Sequence, residues 1–411
     1  MSMDSLYVVS PSGKISEVED EAQVEYWLKQ GFTTATPEQI AGHRREKEAT
    51  IENLKDDQSN LQGEPDEGVY LATVTLGGSD GYGMASKHLY EQLRNLGVQI
   101  STFQKAQKLG LLFHSPQSLV KLENAYRIIY TMFESDKIPD AWIDYLQEAD
   151  LVLVPSHWCM EVFGKAGINA QVLPLGYDDD AFGFMERENK REARKDFVFL
   201  HYNAFNVRKE FLELFAAFQK AFDPMEPVKL VLKTTVDNPM QRFPYIDPVR
   251  NPNIEVIQGS FNATEMKQLL GNSDCFVFPS RGEGFGLTPL EAMATGIPAI
   301  IPNAHGISEY FNPEFMYEAK VARQEPAIYT RYKGQDVGNM VVCDVDQLAA
   351  QMRYVYEHQE EALEKGRKAA EYVKQFTYKK TAGRLKTIID EYLEKPQVDK
   401  PLRNMLPLEK I

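Results

Sequence analysis

Residues 275–309 read CFVFPSRGEGFGLTPLEAMATGIPAIIPNAHGISE. The opening run, 275–279, is short, apolar and β-prone, so it reads as a buried strand. Gly282, Gly284 and Gly286 make a loop whose backbone can approach a ligand closely. The run LTPLEAMATG reads as a helix, with Thr288 as N-cap, Pro289 at the first helical position and Gly296 at the C-terminal cap. Strand, glycine loop and helix start together point free N–H groups and a positive helix end at an anion, typically a phosphate. Glu283 sits in the loop and Glu291 in the first turns of the helix, seven residues apart in between, so both can face one ligand.

Outward from this stretch the same grammar repeats. Upstream, FVFLHY (197–202) is a strand, and Val207-Arg208-Lys209 opens a helix with Phe211, Leu214, Phe215 and Phe218 on its inner stripe. Two cations at a helix N-terminus oppose its dipole unless an anion sits there. Residues 228–235 form a strand ending near Lys233, and 254–258 another. In the first half, VYLATVT (69–75) is a strand followed by Gly77, Gly78, Gly81 and Gly83. A helix comes next, with Met84, Leu89, Leu93 and Leu96 as its core stripe. Strands follow over 98–103, 127–133, 151–154 and 170–173, with helices between them; residues 106–124 are ambiguous. Strand and helix in alternation argue for doubly wound parallel sheets. Glu134 falls at the carboxyl end of a strand, where ligands bind in open α/β sheets.

Composition bounds the rest. A chain of 411 residues holds two domains plus something small. Hydrophobic content of 43% suits a globular protein, and a formal charge of −15 disfavours a general polyanion-binding surface. Cys159, Cys275 and Cys343 fit neither a metal spacing nor a disulfide framework and read as buried small hydrophobes of a reducing compartment. The N-terminus lacks a secretory pattern, and no run reaches the ~18 apolar residues of a membrane span. A cytoplasmic protein is expected.

Glu283-x7-Glu291 within EGFGLTPLEAMATGIPAI, followed by Gly306-x-x-Glu309, resembles the E-x7-E signature of retaining glycosyltransferases of family 4, the glycosyl transferases group 1, which have the GT-B fold. The resemblance covers about residues 69–392. It implies an α/β fold of two facing Rossmann-like doubly wound domains. Ahead of them lies a small N-terminal α+β extension, read as a β-hairpin (LYVVS, KISEVE), a short helix over 21–31, a second helix from Thr36 and a linker. The divisions expected are 1–66 for the extension and linker, 67–178 for an acceptor domain, 179–378 for a nucleotide-sugar donor domain, and 379–411 for a helix crossing back.

The resemblance further implies a hexose moving from a UDP- or GDP-linked donor, such as UDP-glucose, to an acceptor hydroxyl. Glu291 would hold the ribose and Glu283 would contact the sugar. The N–H groups of Gly284, Phe285, Gly286 and Leu287 would hold the diphosphate together with Lys209. Residues 257–261 would meet the base, and Gly78 would line the cleft. Lys233 joins the donor-binding candidates. Family members carry an R-x5-K pair; Lys209 matches the Lys, but Asn203 occupies the Arg slot, with Arg208 as a substitute. Glu134 stands where family members carry an acceptor-side His, and either serves the acceptor hydroxyl or caps the strand. No cofactor and no metal are implied, and Asp178-Asp179-Asp180 reads as a solvated linker start. Transfer to hydroxymethylated bases in DNA, a phosphorylase or epimerase, and a non-catalytic nucleotide-sugar-binding protein stay open as alternatives. So does a homo-oligomer formed through the extension.

Overall fold

The computed structural model describes residues 6–9, 15–18, 33–41, 68–72, 76, 81–102, 108–116, 124–189, 196–203, 207–209, 211–235, 239, 251–329, 332 and 334–398. The chain forms two compact units, Met1–Pro65 and Asp66–Ile411. In the first, β1 (Leu6–Val9) and β2 (Ile15–Val18) make an antiparallel hairpin with Leu6 opposite Val18. A strand absent from the sequence reading, β3 (Thr33–Thr34), adds to the other side of β1. A helical turn over 37–41 starts with a capping box: the Thr36 N–H donates to Gln39 Oε1 at 2.9 Å, and the Gln39 N–H to Thr36 Oγ1 at 3.2 Å. The expected helix over 21–31, the rest of the second helix and almost all of the linker lie outside the described residues.

The second unit contains two six-stranded parallel sheets. The first comprises β4 (Val69–Ala72), β5 (Ile100–Ser101), β6 (Leu109–Phe113), β7 (Tyr126–Tyr130), β8 (Leu151–Val154) and β9 (Ala170–Val172), in the order β5-β4-β6-β7-β8-β9. The second comprises β10 (Phe197–Tyr202), β11 (Val228–Thr234), β12 (Ile254–Gln258), β13 (Cys275–Val277), β14 (Ala299–Ile301) and β15 (Tyr317–Glu318), in the order β12-β11-β10-β13-β14-β15. Strands such as β4, β6 and β13 are buried at every position, as parallel strands covered on both faces must be. Two Rossmann-like domains of this kind make the GT-B fold.

Sequence and structure differ at several elements. The ambiguous stretch holds β6, a central strand of the first sheet. The strand read over 127–133 ends at Tyr130, so Glu134 stands four residues beyond it. In helix α1 (Gly81–Asn95) the buried side is Ala85, Ser86, Leu89 and Leu93, while Met84 and Leu96, which lies beyond its end, are exposed. A two-stranded antiparallel ribbon, β16 (Val321–Pro326) and β17 (Asn339–Cys343), stands apart from both sheets.

Two crossings join the domains side by side. Tyr177 and Thr377 form a parallel bridge, and Gly176 lies so close to the Thr377 backbone that a Cβ there would fall within 2.2 Å of it. The final helix, Tyr378–Glu394, then packs Leu385 and Ile389 into the cluster that holds Leu89 and Leu93 of α1. Tyr392 closes the contact, its hydroxyl donating to the Asp150 carbonyl at 3.2 Å. The three cysteines are buried and unpaired. Among the described residues no helix is long and apolar enough to cross a membrane.

Candidate active site

In the second sheet the strand order reverses between β10 and β13, and ligands of such sheets bind beyond the carboxyl ends at that point. The segment after β10 carries Asn203, Arg208 and Lys209. The segment after β13 carries Ser280, Gly282 and Glu283 and leads into a helix, Leu287–Ala294. This helix begins two residues earlier than the cap read at Thr288 suggests. Its N-cap is Gly286, in the left-handed region at φ 89°, with no side-chain cap. Thr288 and Pro289 are therefore the second and third helical residues. Proline is tolerated there because first-turn N–H groups have no intrahelical partner. Gly296, at φ 83°, follows the C-cap Thr295 as expected.

Glu283 is 8% exposed and sits among donors. Lys209 Nζ donates to its Oε1, Ser280 Oγ donates to the same oxygen at 2.7 Å, and the Arg208 guanidinium lies 3.2 Å away. Burial pushes its carboxyl up, but Lys209 and Arg208 outweigh burial and bring it down to about 2, so Glu283 is a carboxylate at neutral pH. Lys209 is lowered, by burial first and then by Arg208.

Glu291 has the opposite setting. Burial raises it to about 7; the Tyr202 hydroxyl and Lys233 oppose this, and the nearby Asp178 adds to it. Tyr202 Oη lies 3.0 Å from Glu291 Oε2 and 3.0 Å from the Thr288 carbonyl. Lys233, opposite Tyr202 in the β10–β11 register, is 8% exposed, stands over the Phe261 ring at 5.2 Å, and is lowered by burial. The helix start thus carries one fixed carboxylate and one carboxyl poised near neutrality.

The glycines of the loop serve contacts within the protein. A Cβ on Gly282 would stand 2.0 Å from the Glu134 carbonyl oxygen, and one on Gly284 2.6 Å from the Met132 side chain. On Gly306 it would fall 2.1 Å from the Gly284 carbonyl oxygen. Ser156, in the first domain, donates to the Gly284 carbonyl at 2.9 Å. The missing side chains therefore let the two domains close on the loop, where the sequence suggested close approach of a ligand. Phe285, a donor-site candidate, packs its ring near Tyr310 and Phe376, at 5.6 and 6.0 Å, so only its backbone is available to a ligand.

Arg208 does not stand free for a diphosphate. Its guanidinium reaches Glu283, the Gly282 carbonyl and, at 3.6 Å, Glu134 of the first domain. Burial disfavours its charge, but Glu134 and Glu283 raise it overall. Asn203 donates from Nδ2 to His201 Nε2. Burial lowers His201 to about 4, so it is neutral, and its Nδ1–H donates to the Val277 carbonyl at 2.8 Å. Asn203 Oδ1 is left without a partner among the described residues. Asp178, Asp179 and Asp180 bring their carboxylates within 4.8 Å of one another, and Lys379 pairs with Asp179 at 3.2 Å and Asp180 at 2.8 Å. Gly77 and Gly78 lie outside the described residues.

Three site side chains escaped the sequence reading. Tyr202 could have been found as the last residue of the strand at the reversal point, and Ser280 as the hydroxyl three residues before Glu283. Tyr329, whose hydroxyl is 3.4 Å from Glu134 Oε2, lies 195 residues from its partner and gave no local signal.

Residues 184–322 match the family model described as glycosyl transferases group 1. The chain carries a group 1 glycosyltransferase domain. The match includes Lys209, Glu283 and Glu291 and stops just inside the ribbon at β16, short of Tyr329. ORF313 of Acidianus filamentous virus 1, whose name places it provisionally among the glycosyltransferases, is 27% identical over 187 residues, covering 44% of this chain and 54% of its own. A lipopolysaccharide core biosynthesis mannosyltransferase, LpsB of Rhizobium meliloti, is 61% identical over 36 residues, covering 9% of this chain and 10% of its own. The chain thus spans about half the length of the first of these relatives, or less of the second. Anabaena Alr3699/HepE, solved with UDP and glucose, aligns at TM-score 0.57 and 12% identity, over 80% of this chain and 100% of its own. That likeness is one of fold.

Proposed function

We propose that the group 1 domain works here as a retaining family 4 glycosyltransferase, moving a hexose from a UDP- or GDP-linked donor to an acceptor hydroxyl. The observation that carries this reading is the pair Glu283–Lys209 and Glu291–Tyr202 at the start of one helix, beyond the strand-order reversal. In this reading Glu291 accepts from the ribose hydroxyls. The first-turn N–H groups, with Lys209 and Lys233, meet the diphosphate, whose negative charge grows as it leaves. The bond from the anomeric carbon to the donor phosphate oxygen breaks, and a bond to the acceptor oxygen forms on the same face. The acceptor proton passes to the departing phosphate oxygen, and Glu134 accepts from the acceptor hydroxyl until then. No metal or cofactor takes part.

Calorimetric titration with UDP, GDP, ADP and dTDP tests the assignment. One nucleotide should bind to the wild type and not to Glu291→Ala; equal affinity in both would overturn it. Asn203 in the Arg slot and the engagement of Arg208 favour one second reading, a nucleotide-sugar-binding protein without turnover. Release of nucleotide from a bound sugar nucleotide separates the two.

A further inference from the structure

The ribbon β16–β17 belongs by sequence to the second domain, yet its connecting segment is built onto the first. Its first strand is exposed at almost every position, so it packs into neither sheet. Beyond it, Trp142 Nε1 of the first domain donates to the Tyr332 hydroxyl at 2.9 Å. Lys137 pairs with Asp336 at 3.0 Å. Asn339 donates its N–H to Asp136 Oδ1 at 2.6 Å, and the Asp136 N–H returns to the Asn339 carbonyl at 3.2 Å. Gly338, at φ 76°, has no room for a side chain: a Cβ would lie 2.1 Å from Asp136 Oδ1. All of these contacts fall on one short stretch of the first domain, the stretch that carries Glu134.

At the centre of this contact is Tyr329. Its ring tilts against Phe133 at 5.1 Å, and its hydroxyl reaches Glu134 Oε2 at 3.4 Å. Glu134 Oε1 faces Arg208 at 3.6 Å. One carboxylate oxygen is held by a cation of the donor domain, and the other by a hydroxyl delivered on the ribbon. Burial, then the Glu134 charge, raises the Tyr329 hydroxyl, so it stays protonated and can only donate to the carboxylate.

We infer that the ribbon forms the acceptor-side wall of the site and that Tyr329 is a positioning residue, fixing the Glu134 carboxylate between itself and Arg208 so that it can receive the acceptor's O–H. This rests on the proposed transferase reading, in which Glu134 serves the acceptor. The acceptor is then a group small enough, or extended enough, to present its hydroxyl beneath a wall that already touches both domains.

The test compares wild type, Tyr329→Phe, Glu134→Gln and the double variant. The probes are UDP-glucose and GDP-mannose with water as acceptor, read as nucleotide release, alongside UDP and GDP binding by calorimetry. Tyr329→Phe keeps the ring and its packing and removes one hydrogen bond to a charged group, a loss on the order of tenfold. The inference expects that loss in kcat, with donor KM and nucleotide Kd unchanged, and no further loss when Tyr329→Phe is added to Glu134→Gln. A Tyr329→Phe protein that matches wild type overturns it. So do losses that multiply in the double variant, or a nucleotide Kd that shifts by the same factor. A wild type that neither binds nor turns over a sugar nucleotide overturns the transferase reading, and this inference with it.

Discussion

Glu291 is poised at about 7, so under the proposed transferase reading donor binding becomes a function of pH. If Glu291 accepts from the ribose hydroxyls, its ionised form, with both oxygens as charged acceptors, is the tight-binding one. The free protein then holds the competent form at about 0.9 occupancy at pH 8 and about 0.1 at pH 6, one unit either side of the midpoint. Affinity should fall about tenfold across that interval, or about 1.4 kcal/mol. The sign follows from the carboxyl's raised value: acid protonates it in the free protein, and binding at low pH must expel that proton. UDP-glucose is the suitable ligand, because its diphosphate has no ionisation near neutrality. Calorimetry at pH 6 in two buffers of different ionisation enthalpy should show about 0.9 proton released per ligand bound, and almost none at pH 8. Tyr202→Phe removes a hydrogen bond that favours the carboxylate, so the midpoint should move upward. Glu291→Gln should bind weakly with a flat profile. A flat wild-type profile, or a slope that survives in Glu291→Gln, would refute the reasoning.

Lys209→Met removes the cation nearest Glu283, and kcat for sugar-nucleotide turnover should fall about a hundredfold or more; a change below threefold would show that the charge acts elsewhere. Gly306→Ala drives a Cβ to 2.1 Å from the Gly284 carbonyl oxygen, and Gly284→Ala drives one to 2.6 Å from the Met132 Cβ, which moves only with its own backbone. In urea unfolding each should cost about 3 kcal/mol, and a loss below about 1 kcal/mol at either position would contradict the packing described. Nucleotide binding should be indifferent to EDTA, and loss of binding restored by Mg²⁺ would assign a metal to the site.

The parallel sheets and the paired glutamates were legible because their signals are local. A buried strand is a short apolar run, and a helix that receives an anion announces itself through glycines and spacing. What was illegible depends on contacts between distant segments. The strand at Leu109–Phe113 is as apolar as its neighbours, but it comes without a clear helix before it to set the alternation. The ribbon strand VARQEP is exposed, so no hydrophobic period marks it. Gly282 and Gly284 read as room for a ligand because a sequence gives the absence of a Cβ and not its cause; the cause is Glu134 and Met132 of the other domain. Thr288 and Pro289 have the right chemistry for a helix start, yet the left-handed turn at Gly286 sets the start two residues earlier.

Arg208 shows how the site compensates for a missing cation. With Asn203 in the Arg slot, the neighbouring arginine looks like its replacement, but geometry assigns it other work. Its guanidinium lies 3.6 Å from Glu134 and 3.2 Å from Glu283, one carboxylate from each domain. Taking it away would strip a cation from both carboxylates, leaving Glu283 to Lys209 and Ser280 and Glu134 to the Tyr329 hydroxyl, a costly change. A guanidinium tied in this way cannot turn to a phosphate without releasing one of them. In the proposed transferase reading, charge for the diphosphate then comes from the ammonium groups. Lys209 follows β10 on one side of the strand-order reversal, and Lys233 stands on the adjacent strand, level with Tyr202 and beside Phe261. Both are lowered by burial, Lys209 while already donating to Glu283, so an arriving diphosphate would add counter-charge at Lys233 and share Lys209 with Glu283. The positive charge of the site is thereby divided in the proposed reading: a guanidinium holds the two domains to the glycine loop, Lys209 is shared between Glu283 and the donor, and Lys233 adds a second ammonium.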